Sequence, residues 1–203
     1  MIKKDLHQFK CHCSAIGQIM KNDRSGKGMG ETAKTYLKTW VKEQIYGIRK
    51  DAYSKAMDKG IQCERGAIEY AADVLEWGMV FKNEETFSND WTVGTPDLIF
   101  PDRIVDIKCP WDCFTFPLFD DLQEEYFYQI QGYLDLTGKD LGEVVYVLMN
   151  TPEDLVFGEP EDYSNVPAEY RVKSFRVERD QDCIDAIHNR VELCREYVKM
   201  LTT

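Results

Sequence analysis

The sequence predicts an α/β domain, a central mixed β-sheet flanked by helices. Three observations predict it. Apolar residues recur at helical spacing in the first third of the chain, over 120–138 and at the C-terminal end. Between these stretches lie short β-prone runs bounded by Pro, Gly and Asp. Their order is helices, a strand meander, a helix, two strands and a helix, the alternation that layers helices on a sheet. A chain of 203 residues with 43% apolar and 12% aromatic side chains has the material for one core, so a single domain over 1–203 is expected. Within it the reading separates a basic helical part, 1–60, a central part that carries the chemistry, 61–150, and a strand plus C-terminal helix, 151–203.

Each element has its own warrant. Ser14 suits the N-cap of a short helix, AIGQIMK. DRSGKGMGE (23–31) is basic, Gly-rich and without apolar period, so it reads as a loop. TAKTYLKTWVKEQIYG follows as a helix, with Tyr36, Leu37, Trp40, Val41 and Ile45 at helical spacing. A second helix is expected from about Asp51 to Trp77, broken near Gly60, with Ala67, Ile68, Ala71, Val74 and Leu75 on its apolar face. MVFKNEETF, WTVGTPDLIF and RIVDIKC read as strands. DDLQEEYFYQIQGYLDLTG is helical and is stopped by Gly138. GEVVYVLMN reads as a buried strand and EYRVKSFRVER as an alternating one. DCIDAIHNRVELCREYVKML is an amphipathic helix capped by Asp180 or Asp182.

Composition narrows the function. No apolar run reaches the roughly 18 residues of a membrane span, and MIKKDLHQFKCHC lacks the apolar stretch of a secretory signal. A protein of the cytoplasm, without a membrane partner, is expected. Seven cysteines form no CxxC pair, and free thiols are expected rather than disulfides or a metal knot. The net charge of −11 argues against a non-specific nucleic-acid coat. It leaves room for an enzyme whose carboxylates surround divalent cations. Residues 1–60 carry 13 Lys or Arg against 6 Asp or Glu, which suggests one face for an anionic partner.

The stretch GTPDLIFPDRIVDIKCPW (94–111) carries charge in strands that otherwise want to be buried. Asp106 and Lys108 share a face because strand side chains alternate, and a hairpin brings Asp97 beside them. Two carboxylates and the carbonyl of Ile107 would make an oxygen-rich site suited to Mg²⁺, or to Mn²⁺ in its place. Lys108 would then stand where an attacking water or a scissile phosphate belongs. A structural ion pair between strands accounts for the hairpin alone equally well.

The surroundings separate the two. Pro96-Asp97 followed by Asp106-Ile107-Lys108 resembles the PD-(D/E)XK nuclease signature. Gly60 to Glu64 followed by Ala67, Cys109-Pro110-Trp111, and Tyr126 with Gln129 and Gln131 resemble the phage lambda exonuclease branch, the YqaJ-type viral recombination exonucleases. Cys13-Ser14, the loop Arg24 to Lys27 and the ending VERDQDCIDAI resemble it too. The resemblance runs from about residue 10 to 200. It implies a restriction-endonuclease-like core and a single nuclease domain with its catalytic core in 61–150. The implied activity is metal-dependent 5′-to-3′ exonuclease digestion of linear double-stranded DNA, leaving a 3′ overhang.

The resemblance also implies roles. Asp97, Asp106 and the Ile107 carbonyl ligate Mg²⁺ or Mn²⁺, Glu64 completes the metal or water shell, and Lys108 orients or activates water. Gln129 hydrogen-bonds the phosphate region. Ser14, Thr95 and Arg24 contact the 5′ phosphate or the duplex. Gln131 and Glu69 are expected to be structural and solvated respectively, and Met29 and Met57 to be core or surface residues. His7, with Lys10 nearby, stands where the branch has an arginine that helps bind the 5′ phosphate, and Asp90 is the nearest acidic residue before the hairpin. A homotrimer around the DNA, a single-strand annealing or single-strand DNA-binding partner, and a host cytoplasm for a phage-encoded chain complete the implication. Two rivals remain. One is a nuclease of the same fold with another polarity, an endonuclease or an iron–sulfur relative, which the isolated Cys183 and Cys194 disfavour. The other is a catalytically silent DNA-end-binding module, which the intact Glu64, Asp97, Asp106, Lys108 set disfavours.

Overall fold

Ile104–Lys108, the most continuously buried of the short strands, lies in the middle of the chain's main sheet. The structure, a computed structural model, describes residue 6 and residues 8–26, 28–50 and 54–203. His7, Lys27 and the helix start expected near Asp51 lie outside the described residues. In chain order the elements begin with β1 (Cys11–His12), α1 (Ile16–Met20), α2 (Glu31–Tyr46) and α3 (Lys55–Val74). Four strands follow: β2 (Phe87–Ser88), β3 (Thr92–Gly94), β4 (Leu98–Ile99) and β5 (Ile104–Lys108). The remainder is α4 (Glu124–Thr137), β6 (Leu141–Val147), β7 (Val172–Glu178) and α5 (Gln181–Thr202).

The main sheet runs β4-β5-β6-β7. Its pairings are antiparallel, parallel and antiparallel, so the sheet is mixed, as expected. The parallel step needs a crossover, and α4 supplies it. A small second sheet pairs β3 with β1 (parallel) and with β2 (antiparallel).

Strand alternation divides the core between two sheet faces. Ile104, Val144 and Tyr146 pack with Ile130, Tyr133 and Leu134 of α4 and with Ile187 and Val191 of α5. Val105, Ile107, Val145 and Val147 pack with Ala67, Ile68 and Ala71 of α3. Asp106 and Lys108 therefore belong to the α4 face, and α3 closes the other side of the same strand.

Several expectations change in detail. α3 runs unbroken through Gly60. Its buried stripe, Lys59, Cys63, Ala67 and Ala71, packs on both sides of the glycine, and tertiary burial outweighs a helical glycine's cost of about 1 kcal/mol. Ser54 caps this helix by accepting the Met57 N–H (3.2 Å). Ser14 caps nothing: it lies in a 3-10 turn, Cys13–Ala15, and α1 starts after it at Ile16. Of MVFKNEETF only Phe87 reaches a strand. Asn83 explains the rest. Its N–H donates to the Asp97 carbonyl (2.7 Å) and its Nδ2 to the Pro96 carbonyl (2.9 Å), so this segment is tied to the Pro96-Asp97 corner instead of to a ladder. WTVGTPDLIF divides at that corner into β3 and β4. Ile45 is exposed at the end of α2 rather than packed in the core.

Gly138 ends α4 in the left-handed region, and Asp180 rather than Asp182 caps α5, accepting the Cys183 N–H (3.0 Å). All seven cysteines are free. Among the described residues no helix is long and apolar enough to cross a membrane.

Candidate active site

Asp106 is 3% exposed, and a carboxylate so buried needs partners. α4 and the strand itself supply them. Gln129 Nε2 donates to Asp106 Oδ1 at 3.0 Å, and Lys108 Nζ lies 2.7 Å from Oδ2. Among the described residues no hydrogen bond of good geometry reaches Oδ2, so the Lys108 contact is chiefly one of charge. Gln129 also accepts from Lys108 Nζ at 3.2 Å and donates to the Tyr133 hydroxyl at 3.0 Å. The Tyr133 hydroxyl in turn reaches the Thr95 carbonyl (3.3 Å). The amide thus holds acid, ammonium and hairpin in one network.

Asp97 joins through the backbone: its Oδ2 accepts the Ile107 N–H at 2.7 Å. Burial, and then the charge of Asp106, raise the Asp97 pKa from 3.8 to about 7, although the Ile107 N–H and Lys108 pull the other way. Lys108 behaves oppositely. Burial is the largest single influence and opposes its charge, but Asp106, joined by Tyr126 and Asp97, outweighs it and holds the lysine above its ordinary value. Lys108 is therefore held as an ammonium beside Asp106, a source of positive charge at the site. Its Nζ stands 4.6 Å over the Tyr126 ring, which adds a cation–π contact.

These groups line a cleft of about 800 Å³. Glu64, Asp97, Asp106, Ile107, Lys108 and Gln129 all border it, and Ser14 stands exposed at its edge. Glu64 arrives from α3 and is ion-paired with Lys82. Thr95 and Arg24 are not among the lining residues. The Thr95 hydroxyl pairs with that of Thr86 (2.8 Å), and Arg24 is exposed in the 22–29 loop. Gln131 is structural: it donates to the Glu178 carbonyl (2.7 Å) and accepts the Asp180 N–H (2.9 Å). Glu69 is a solvated helix carboxylate paired with Arg65 (2.9 Å), Met29 packs against the core, and Met57 is exposed on the cleft wall. Asp90 is exposed and does not border the cleft.

Among the described residues no three His, Cys, Asp or Glu side chains are drawn together as a ready-made metal group. Glu64 is turned to Lys82, and Asp97 and Asp106 are engaged by Ile107, Gln129 and Lys108. A second cleft of about 710 Å³, beside Arg176, Arg179, Asp180 and Gln181, lies away from these groups.

Some residues of the site were not singled out from sequence. Lys59 is 0% exposed and donates to the carbonyls of Trp111 (2.8 Å) and Met149 (2.7 Å), fastening α3 to the Cys109-Pro110-Trp111 turn. Its position on the stripe 59, 63, 67, 71 was a signal that it is buried. Lys59→Met is expected to cost about 1–3 kcal/mol, because Met149 O loses its buried donor. Urea unfolding measures this, and an unchanged midpoint would show that the two bonds contribute nothing net. Lys82 and Tyr146 had no motif of their own, and Tyr126 stood in the Tyr-x-x-Gln motif without an assigned role.

The hairpin carrying Asp97, Asp106 and Lys108, with flanking helices that bring Glu64 and Gln129, resembles the PD-(D/E)XK arrangement. The structure is similar to that of a phage related exonuclease from Haemophilus somnus, with a TM-score of 0.85 and 27% identity over 98% of this chain and 97% of that one. An alkaline exonuclease, LHK-Exo, from Laribacter hongkongensis shares the fold at a TM-score of 0.71 and 18% identity, over 94% of this chain and 88% of its own. LHK-Exo in complex with dAMP aligns equally well, over 96% of this chain and 90% of that one. No family model and no curated protein matches the chain. The likeness to these exonuclease structures, one of them named as phage related, agrees with the resemblance seen in the motifs.

Proposed function

We propose that the protein is a metal-dependent exodeoxyribonuclease that digests one strand of linear duplex DNA from its 5′ end, releases mononucleotides and leaves a 3′ overhang. The observation that carries this reading is the meeting of Asp97, Asp106, Lys108 and Gln129 at one end of β5, on a cleft that Glu64 also borders. Likeness to structures named as exonucleases, one of them in complex with dAMP, supports it.

The donor set fits a hard divalent cation. Asp97, Asp106, Glu64 and the Ile107 carbonyl are all oxygen donors bordering one cleft, and burial first, then the charge of Asp106, raises the Asp97 pKa, a cost that a bound cation would offset. These four would hold Mg²⁺ or Mn²⁺. The cation, when bound, supplies Lewis-acid stabilisation of the charge that builds on the phosphate. Lys108 offers a non-bridging phosphate oxygen its ammonium and orients the attacking water. Gln129 holds Lys108 and Asp106 at their spacing and faces the phosphate. Ser14 offers its hydroxyl to a 5′-terminal phosphate at the cleft edge. Thr95 supports that corner through Tyr133, and Arg24 meets the duplex outside the cleft.

The same reading includes a homotrimer whose channel holds DNA, and a single-strand annealing or single-strand DNA-binding partner in the host cytoplasm. Exposed Phe114, Phe119 and Phe157 offer apolar surface to such contacts. Light scattering after gel filtration measures the assembly.

Linear duplexes labelled at the 5′ or the 3′ end test the activity in Mg²⁺, Mn²⁺ and EDTA. Early release of the 5′ label as mononucleotide, abolished by EDTA, is expected. Early release of the 3′ label would reverse the polarity, and cutting of closed circles would make the protein an endonuclease. Binding without digestion would leave an end-binding module.

A further inference from the structure

Tyr146 of β6 is the in-register partner of Lys108 on the parallel strand β5, so the two side chains stand side by side on one sheet face. It borders the cleft and is 4% exposed. Its hydroxyl is buried and has no hydrogen-bond partner among the described residues. The ring is flanked by two others. It is packed edge-on against Tyr126 (5.9 Å, 75°) and Phe175 (5.8 Å, 77°). Burial, and then Tyr126, Glu125 and Asp106, hold the phenol well above its ordinary pKa, so the group keeps its proton as a donor.

A buried hydroxyl without a partner destabilises a fold, and phenylalanine would fill the same space without that cost. The neighbours of the hydroxyl restrict what it could serve. Lys108 is an ammonium and cannot accept a hydrogen bond, so the acceptor must come from a ligand. Beside an ammonium, that acceptor is an anionic oxygen.

We propose that Tyr146 is a ligand-contacting residue of the cleft, whose hydroxyl donates to a phosphate oxygen of the nucleotide held against Lys108. The proposal rests on the nuclease reading in taking phosphate as the anion. The hydroxyl is buried in the free protein. The half-buried Tyr126 ring therefore gives way as the ligand seats.

Tyr146→Phe deletes the hydroxyl and keeps the ring. Wild type and Y146F are titrated calorimetrically with dAMP and with inorganic phosphate in the presence of Mg²⁺, and their ligand-free thermal midpoints are compared. The expected result is about tenfold weaker binding of both probes by Y146F, with a midpoint at or above that of wild type. Unchanged affinity overturns the proposal. So does a midpoint several degrees lower, which would assign the hydroxyl to the fold, and so does a wild type that binds neither probe. Duplex digestion by the wild type separates this from the nuclease reading. If wild type digests DNA and Y146F binds both probes as tightly, the Tyr146 assignment fails alone. If Tyr146-dependent binding occurs without digestion, the nuclease reading fails and the subsite stands.

Discussion

Lys108→Ala is expected to lower the single-turnover rate of duplex digestion by about 10²–10³-fold or more, the range lost when a preorganised charge donor is removed from a reacting centre. Nothing nearby replaces the ammonium. Lys82, also beside the site, is committed to Glu64, and Lys59 is buried against the Trp111 and Met149 carbonyls. The loss falls on the chemical step rather than on the fold. Neither apolar cluster that holds the sheet includes Lys108. Asp106, however, loses the cation 2.7 Å from its Oδ2, so some stability goes as well. Lys108→Met, which keeps much of the aliphatic stem over Tyr126, separates the two effects and should be as inactive as the alanine variant. Rates on 5′-labelled duplex, with DNA binding measured alongside, check this. Turnover that persists in both variants would remove Lys108 from the chemistry.

Asp97→Asn should kill the activity and, in EDTA at pH 8, raise the thermal midpoint. The folded pKa of Asp97, about 7, lies above the ordinary 3.8. Between these values the folded state binds the proton more tightly than the unfolded chain does. Stability therefore falls as pH rises from about 4 to about 7, by at most about 1.4 kcal/mol per pH unit, and stays low above that window. Asn cannot ionise and can still accept the Ile107 N–H, so the variant should lose this slope. Mg²⁺ should stabilise wild type more at pH 8 than at pH 5, because a cation offsets the charge that protonation offsets at low pH. For Asp97→Asn the stabilisation should be small at both. Thermal melts of the two proteins across pH 4–8, with and without Mg²⁺, measure all of this. Parallel curves for wild type and variant would mean that Asp97 carries no such burden.

Both predictions concern a trade of stability for charge placement, and the sequence carried part of it. The spacing of Asp106 and Lys108 put them on one strand face, and the hairpin put Asp97 beside them. The Tyr-x-x-Gln helix pointed to Gln129. α2, α4, α5 and the strands β5, β6 and β7 were legible because period and caps act locally, as Gly138 and Asp180 illustrate. Where the reading departed, distant parts of the chain had decided. Gly60 looked like a helix break because its propensity is local, while α3 is held on both sides of it by distant parts of the chain, Lys59 by the Trp111 and Met149 carbonyls and Ala67, Ile68 and Ala71 by β5 and β6. The 79–86 segment looked like a strand, and the Asn83 bonds to the Pro96-Asp97 corner hold it otherwise. Ser14 looked like a cap, and a 3-10 turn displaced the helix start.

The sequence by itself determined which residue types stand at the hairpin and on which face of their strand, because alternation and turn chemistry are properties of neighbours in the chain. Only the tertiary structure decided what those residues meet. It paired Glu64 with Lys82, made Gln129 the bridge between Asp106 and Lys108, and set Tyr146 beside Lys108 with its hydroxyl unpartnered among the described residues. Such contacts join residues far apart in the chain. Their register follows from how two apolar sheet faces are buried against α3 and α4, and no short window of sequence encodes that.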